Sequence, residues 1–349
     1  MLFDFLIPAP DADLPARVRH AIDIKTKPPG SLGAIEDVAL ALAIAQGTDA
    51  PTADPAQLLL FAGDHGIVAE GVSAWPSEVT AQMVLNFLGG GAASTVFARA
   101  GGVGVTVADA GVAAPLSDHP DLRRAGIRKG ARNSAIEDAL SAVEVEAALR
   151  FGADLAQEAA KNGAAVILLG EMGIGNSSAA ALLVHAVEGL PLGPLTGPGA
   201  GLAPEGVEAK RAILARAAAR RISGGARLAP LDALAAFGGL EIAAMAGAVI
   251  GAAAAGRAVL VDGYIATAAA LVALRARPEA RPHVIFAHRS KEPGHILMLD
   301  ALQARALLDL DLRLGEGTGA LLALPLLRAA CAMLNDMATF QSAGVSGKA

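Results

Sequence analysis

Cysteine, tryptophan and tyrosine each occur once in the 349 residues, and aromatic side chains make up only 3% of the chain. One thiol, Cys331, excludes an internal disulfide framework and a cysteine-rich metal site. It lies in an apolar helical pattern and reads as a packing residue. The shortage of aromatics argues against an aromatic-cored β-sandwich. The net charge is −6 and no run of lysine or arginine occurs. A nucleic-acid surface needs a basic stripe, and stacking rings for single strands. That class is excluded, although a basic pocket for one small anion is not. Self-similarity at a fixed period is also lacking, which removes solenoids and propellers. The N-terminus carries Asp4, Asp11 and Asp13 in place of a basic-then-apolar leader. The most apolar stretch, 243–256, falls short of the roughly 20 residues a membrane span requires. It reads as a buried helix, and a cytoplasmic protein is expected.

What is abundant is alanine, leucine and glycine: 54% of residues are hydrophobic and 18% charged. Such a chain builds a large core from closely packed helices. Short apolar runs at 58–62, 103–109, 164–169, 258–261 and 283–287 are bounded by Gly, Asp or Pro, as strands covered on both faces would be. Helical patterns at 78–88, 144–161, 177–187, 205–220 and 241–255 alternate with them. The alternation predicts a Rossmann-like α/β fold, a parallel sheet with flanking helices. The ends read as helical without a strand: 14–46 apart from Lys27-Pro28-Pro29-Gly30, then 301–310 and 320–337. A small helical domain from 1–50 and 305–349 is expected beside a large nucleotide-binding domain over 51–304.

In such sheets ligands sit beyond the C-terminal strand ends, where the unusual residues collect. After the run 164–169 comes Gly170-Glu171-Met172-Gly173-Ile174-Gly175-Asn176-Ser177-Ser178, then a helix. Glycines bring backbone N–H groups close to an anion, and the helix N-terminus adds unpaired donors and a positive dipole end. The segment is neither a Walker A loop nor a Gly-x-Gly-x-x-Gly fingerprint, and a tight turn with a capping serine would look the same. Glu171 is odd beside a phosphate; it either points away or faces the reacting end of the ligand. A second cluster, Thr196-Gly197-Pro198-Gly199-Ala200-Gly201, precedes a helix with Lys210 and could form the opposite wall or a plain loop. Asp262, ending an apolar run, is placed for sugar or backbone hydrogen bonds. Ser290 and Lys291 are placed to meet a phosphate. His288 and His295 are interrupted by Pro293-Gly294 and lack the i, i+4 spacing of a helical zinc pair, so no metal is expected. Gly63-Asp64-His65-Gly66 leads to Trp75, read as a partly exposed stacking surface, and to Gln82. His65 invites a Ser-His-Asp hydrolase, but no Gly-x-Ser-x-Gly elbow accompanies it. Last comes Arg313-Leu314-Gly315-Glu316-Gly317-Thr318-Gly319, a glutamate framed by glycines.

Together these segments resemble the nicotinate-nucleotide–dimethylbenzimidazole phosphoribosyltransferases. The resemblance rests on Lys27-Pro28-Pro29-Gly30-Ser31-Leu32-Gly33, Gly63-Asp64-His65-Gly66, Glu70-Gly71-Val72-Ser73-Ala74 and Gly170–Ser178. It continues through Asp262-Gly263-Tyr264-Ile265, Ser290-x-Glu292-Pro293-Gly294-His295, Gly315–Gly319 and Met337-Ala338-Thr339-Phe340. It implies a homodimer that moves phosphoribosyl from nicotinate mononucleotide to 5,6-dimethylbenzimidazole, without a cofactor. By position Glu316 matches the general base, with Glu171 a possible auxiliary. Gly173, Gly175, Asn176, Ser177, Gly199, Gly201, Lys210, Asp262 and Ser290 fall on or near nucleotide contacts, and Trp75, Gln82 and Leu314 complete the substrate-binding set. Trp75 stands where relatives usually carry Tyr or Phe, and Ala200 where they often carry a hydroxyl. Acceptor preference is therefore open: adenine, another benzimidazole or a phenol are the alternatives, and a non-catalytic nucleotide sensor is the rival of another class.

Overall fold

The computed structural model describes residues 5–346, so Asp4 lies outside the described residues. They form a seven-stranded sheet of β1 (Ala56–Gly63), β2 (Gly104–Gly111), β3 (Leu122–Arg124), β4 (Val166–Met172), β5 (Ala258–Val261), β6 (Val284–His288) and β7 (Ala306–Leu308). The order is β3-β2-β1-β4-β5-β6-β7, and each pairing is parallel. Side chains alternate across a strand, so a sheet covered on both faces must be apolar at every position. In β1, Leu59 and Phe61 enter one core while Leu58, Leu60 and Ala62 enter the other; Ile167 and Leu169 of β4 oppose Val166 and Leu168 in the same way.

The first face is covered by helices Ala142–Lys161, Asn176–Glu188, Leu240–Ala254 and Tyr264–Ala276. The stretch expected as a buried helix over 243–256 is helical as far as Ala254, in the helix Leu240–Ala254, which is buried from Leu240 to Ala253. Its alanine and glycine content has a packing reason. Gly152 of Ala142–Lys161 lies so close to the Ala244 carbonyl that a side chain there would collide with it. The helix Ala142–Lys161 starts in a full capping box, Ser141 with Glu144.

The second face carries Leu14–Asp23, Ala34–Gln46, Glu78–Leu88, Ala93–Gly101 and Thr318–Asp336. Helices from both ends of the chain thus pack together on one side of the sheet. Cys331 is buried there, and burial pushes its thiol up to about 11. It packs as a small apolar side chain. Thr318–Asp336 is long and apolar enough to cross a membrane, yet 61% of its apolar window is buried inside the fold.

Three expectations are corrected. The helix expected over 301–310 is absent: a helix ends at Ala301 and β7 follows on the sheet edge, so the C-terminal part does contribute a strand. β3, on the other edge, was not expected. Both strands are three residues long and pair on one side only, too short for a periodicity to register. The third difference matters for the site. β4 extends through Met172, with Gly170 and Glu171 paired beside Leu60 and Phe61. A third of the glycine segment is therefore sheet, and only Gly173–Gly175 makes the turn.

Candidate active site

From β1 the chain turns towards β2 and β3, and from β4 it turns the other way, towards β5. A crevice opens beyond the C-terminal ends of these two central strands, as the topology of doubly wound sheets requires. It holds a cavity of about 470 Å³, within the ordinary range for a small-molecule site.

One end of the cavity is built for an anion. The helix Asn176–Glu188 starts there directly from the Gly173–Gly175 turn, Gly175 taking a positive φ of 92°. Ser177 lies in its first turn. The Lys210 Nζ, with the side chain almost fully buried, donates to Ser177 Oγ at 2.9 Å and to the Gly197 carbonyl at 3.3 Å. Burial draws the Lys210 ammonium down to about 8, against the pull of the nearby Glu292. A lysine desolvated in this way gains most from an incoming negative charge. Glu292, also buried, has a carboxylate oxygen without a partner. Burial raises its pKa, with Lys210 working against the rise.

The other end is acidic. Glu316 is 5% exposed and has a φ of 62°, a conformation side chains other than glycine adopt rarely. The strain is held by its surroundings. Glu316 N donates to the Glu171 carbonyl at 3.3 Å, and an added Cβ at Gly170 would lie 2.6 Å from the Glu316 carbonyl oxygen. Gly315 likewise has no room for a side chain beside the Glu171 carboxylate. The end of β4 and the glycine loop around Glu316 therefore lock together and hold two glutamates at one wall. Ser94 Oγ donates to Glu316 Oε2 at 3.3 Å. Burial, with Asp262 nearby, lifts Glu316 above the ordinary carboxylate range, against the hydrogen bonds from Ser94. Burial also lifts Glu171, to about 8, aided by Asp262, Glu241 and Glu316 and opposed by the hydrogen bond from Asn176 Nδ2. At neutral pH Glu171 is therefore a neutral acid, standing beside a second buried glutamate whose pKa burial also raises.

Supporting groups fix this arrangement. Asp262 accepts from Gly317 N at 3.1 Å and from Ala320 N at 3.0 Å, so it caps the helix Thr318–Asp336 from the residue just beyond β5. His295 Nδ1 accepts from Ser290 N at 2.7 Å, and its Nε2, carrying the proton, lies 2.8 Å from Thr267 Oγ1. Burial and His288 hold His295 down at about 3, so it is a neutral strut. Among the described residues no group of His, Cys, Asp or Glu side chains is arranged to hold a metal ion.

Of the expected site residues, Trp75, Glu171, Gly173, Gly175, Asn176, Ser177, Gly199, Lys210, Ser290, Leu314 and Glu316 line this single cavity. Three do not. Gln82 is exposed on the helix Glu78–Leu88, whose Val79 and Met83 face the cavity instead. Gly201 is exposed beyond the rim. Asp262 lies behind the wall, its carboxylate used on backbone N–H groups; of the two roles the sequence offered it, the backbone one is observed. Sequence reasoning missed Ser94, which follows Gly89-Gly90-Gly91, and Glu241, which follows Gly238-Gly239. A polar residue just after a glycine cluster was the available signal for both. Glu241 also explains His65: His65 Nε2 donates to Glu241 Oε1 at 2.6 Å, both side chains being buried. Burial opposes the charged imidazole, but Glu241 outweighs it and the His65 pKa is raised.

The sequence profile of a phosphoribosyltransferase family, DBI_PRT, matches residues 7–345. The nicotinate-nucleotide–dimethylbenzimidazole phosphoribosyltransferase of Aromatoleum aromaticum is 49% identical over 99% of this chain and 99% of its own. The chain belongs to this phosphoribosyltransferase family. The enzyme of the same name from Cupriavidus necator is 50% identical, again over 99% of both chains, and that of Thermus thermophilus 48% identical over 96% of this chain and 99% of its own. The family fold is shared as well. The crystal structure of CobT from Thermus thermophilus superposes with a TM-score of 0.92 at 48% identity, covering 96% of this chain and all of that one.

Proposed function

We propose that this cavity transfers phosphoribosyl from nicotinate mononucleotide to 5,6-dimethylbenzimidazole, giving α-ribazole 5′-phosphate and nicotinate for a cobalamin lower ligand. The observation that carries the reading is the polarity of one cavity: a buried lysine and a helix N-terminus at one end, a buried raised-pKa glutamate at the other. Lys210, Ser177 and the first N–H groups of Asn176–Glu188 hold the 5′-phosphate, which supplies binding energy remote from the reacting carbon. Glu316 takes the proton from one benzimidazole nitrogen while the other nitrogen bonds to C1′. The bond from C1′ to the nicotinate nitrogen breaks, and its electron pair neutralises the pyridinium. No strong acid is needed at that leaving group. Attack on the face opposite to it inverts the β-glycoside to an α-glycoside.

Trp75, Met83 and Leu314 supply the apolar surface for the benzimidazole, and neutral Glu171 adds a hydrogen-bond donor beside Glu316. A homodimer in the cytoplasm belongs to the same reading. Sedimentation showing only monomer at micromolar protein would contradict the dimer.

The test of Glu316 is its replacement. Glu316→Gln keeps the shape and removes the base; transfer should fall by at least about 100-fold, the scale of general-base catalysis. Calorimetric binding of nicotinate mononucleotide should stay within about threefold of the parent. Near-normal turnover in Glu316→Gln would remove this residue from the reaction.

A further inference from the structure

Trp75 is the chain's one tryptophan, and half of it faces solvent at the cavity mouth: it is 52% exposed. A ring so exposed is not fixed by packing. It is fixed by hydrogen bonds at both ends. Its backbone N–H donates to Ser73 Oγ at 3.1 Å, and Pro76 behind it restricts its backbone to extended conformations. Its indole Nε1 donates to the Ala200 carbonyl at 3.0 Å, across the cavity mouth.

Ala200 is held in its turn. Gly201 N and Leu202 N both donate to the Pro198 carbonyl, at 3.2 and 3.1 Å, which closes a tight turn around Ala200. The same loop reaches the anion end, where the Gly197 carbonyl accepts from Lys210 at 3.3 Å. Gly199 packs against Ser177 so closely that an added Cβ would lie 2.8 Å from its hydroxyl oxygen. A continuous chain of contacts therefore runs from the Lys210–Ser177 end, through the loop 197–201, to the indole ring.

We propose that the Trp75–Ala200 hydrogen bond makes Trp75 a size-determining clasp. It holds the indole as a rigid outer wall of the acceptor end and ties that wall to the loop bordering the phosphate end. The inference rests on the phosphoribosyl-transfer reading and names what limits its acceptor. A two-ring base fits under a fixed indole, and a linear three-ring base must displace it and break the clasp. Phenylalanine keeps an aromatic face but has no N–H. Tyrosine places its hydroxyl at the ring tip, away from the indole N–H position. Either ring is free to swing out, and a net hydrogen bond in such a setting corresponds to roughly a threefold to tenfold change in an equilibrium.

The experiment compares kcat/KM for benzimidazole and for a linear tricyclic imidazole (naphtho[2,3-d]imidazole) with saturating nicotinate mononucleotide. Wild type, Trp75→Phe and Trp75→Tyr are measured together. The expected result is a tricyclic-to-bicyclic ratio about threefold to tenfold higher in both variants than in wild type. KM for the tricyclic base should carry most of the change. An unchanged or lower ratio in Trp75→Phe, with wild-type transfer detected, overturns the clasp and leaves the transfer reading standing. Absence of product from wild type with any base overturns the reading and the clasp with it. Circular dichroism melts matching wild type show that the variants fold, as a half-exposed rim residue allows.

Discussion

At the scale of the residue, the site turns on Lys210, Glu171 and Glu316, whose protonation the fold has moved. Lys210 and Glu171 both titrate at about 8, the one drawn down and the other pushed up chiefly by burial. As pH rises through about 8, Lys210 loses its positive charge and Glu171 gains a negative one. Both changes oppose an anionic donor. KM for nicotinate mononucleotide should therefore rise on the alkaline side, and a flat KM from pH 7 to 9.5 would contradict the placement. Lys210→Met should raise that KM by about tenfold to a hundredfold at pH 7, as expected for a lost charge-assisted contact. Glu171 also sets a stability trend. Its folded pKa lies above the ordinary 4.5, so the native state holds a proton that the unfolded chain releases, and stability falls between about 4.5 and 8. Glu171→Gln removes that cost. Its melting temperature relative to wild type should be higher at pH 9 than at pH 5.

At the scale of the element, the catalytic loop is held by a cap supplied from elsewhere. Asp262 ends the approach from β5 and takes two N–H groups at the start of Thr318–Asp336, thereby setting the glycine frame of Glu316. Asp262→Ala should cost about 1–2 kcal/mol in urea unfolding, the range for a lost N-cap, and should lower kcat more than donor KM. A donor KM that rises while kcat holds would place Asp262 on the substrate instead. The central strands were legible because a strand covered on both faces is a continuous apolar run. β3 and β7 were not, since a three-residue edge strand has no period. Gln82 shows a similar limit. Its helix was legible, but the residues one turn apart at Val79 and Met83 face the cavity, and Gln82, one position away from Met83, is rotated outward by about 100°.

At the scale of the whole molecule, the sequence foretold the crevice better than its contents. Gly170–Ser178 read alone implied only an anion beside a helix. The structure divides it: Gly170–Met172 complete a central strand and carry Glu171, and Gly173–Ser178 form the anion end. The pairing of Glu171 with Glu316 depends on the end of β4 meeting a loop about 145 residues further along, at Gly170 and Gly315, a contact no local pattern encodes. The same holds for His65 with Glu241 and Ser94 with Glu316. What the chain order did encode was the set of motifs, and family membership follows from their succession over nearly the full length.

The central claim is transfer with inversion in this cavity. The direct measurement incubates the purified protein with nicotinate mononucleotide and 5,6-dimethylbenzimidazole, separates the products by chromatography and assigns the anomeric carbon by NMR. The expected result is α-ribazole 5′-phosphate and nicotinate in equal amounts, both lost in Glu316→Gln. Free ribose 5-phosphate, a β-linked product or no reaction would contradict it.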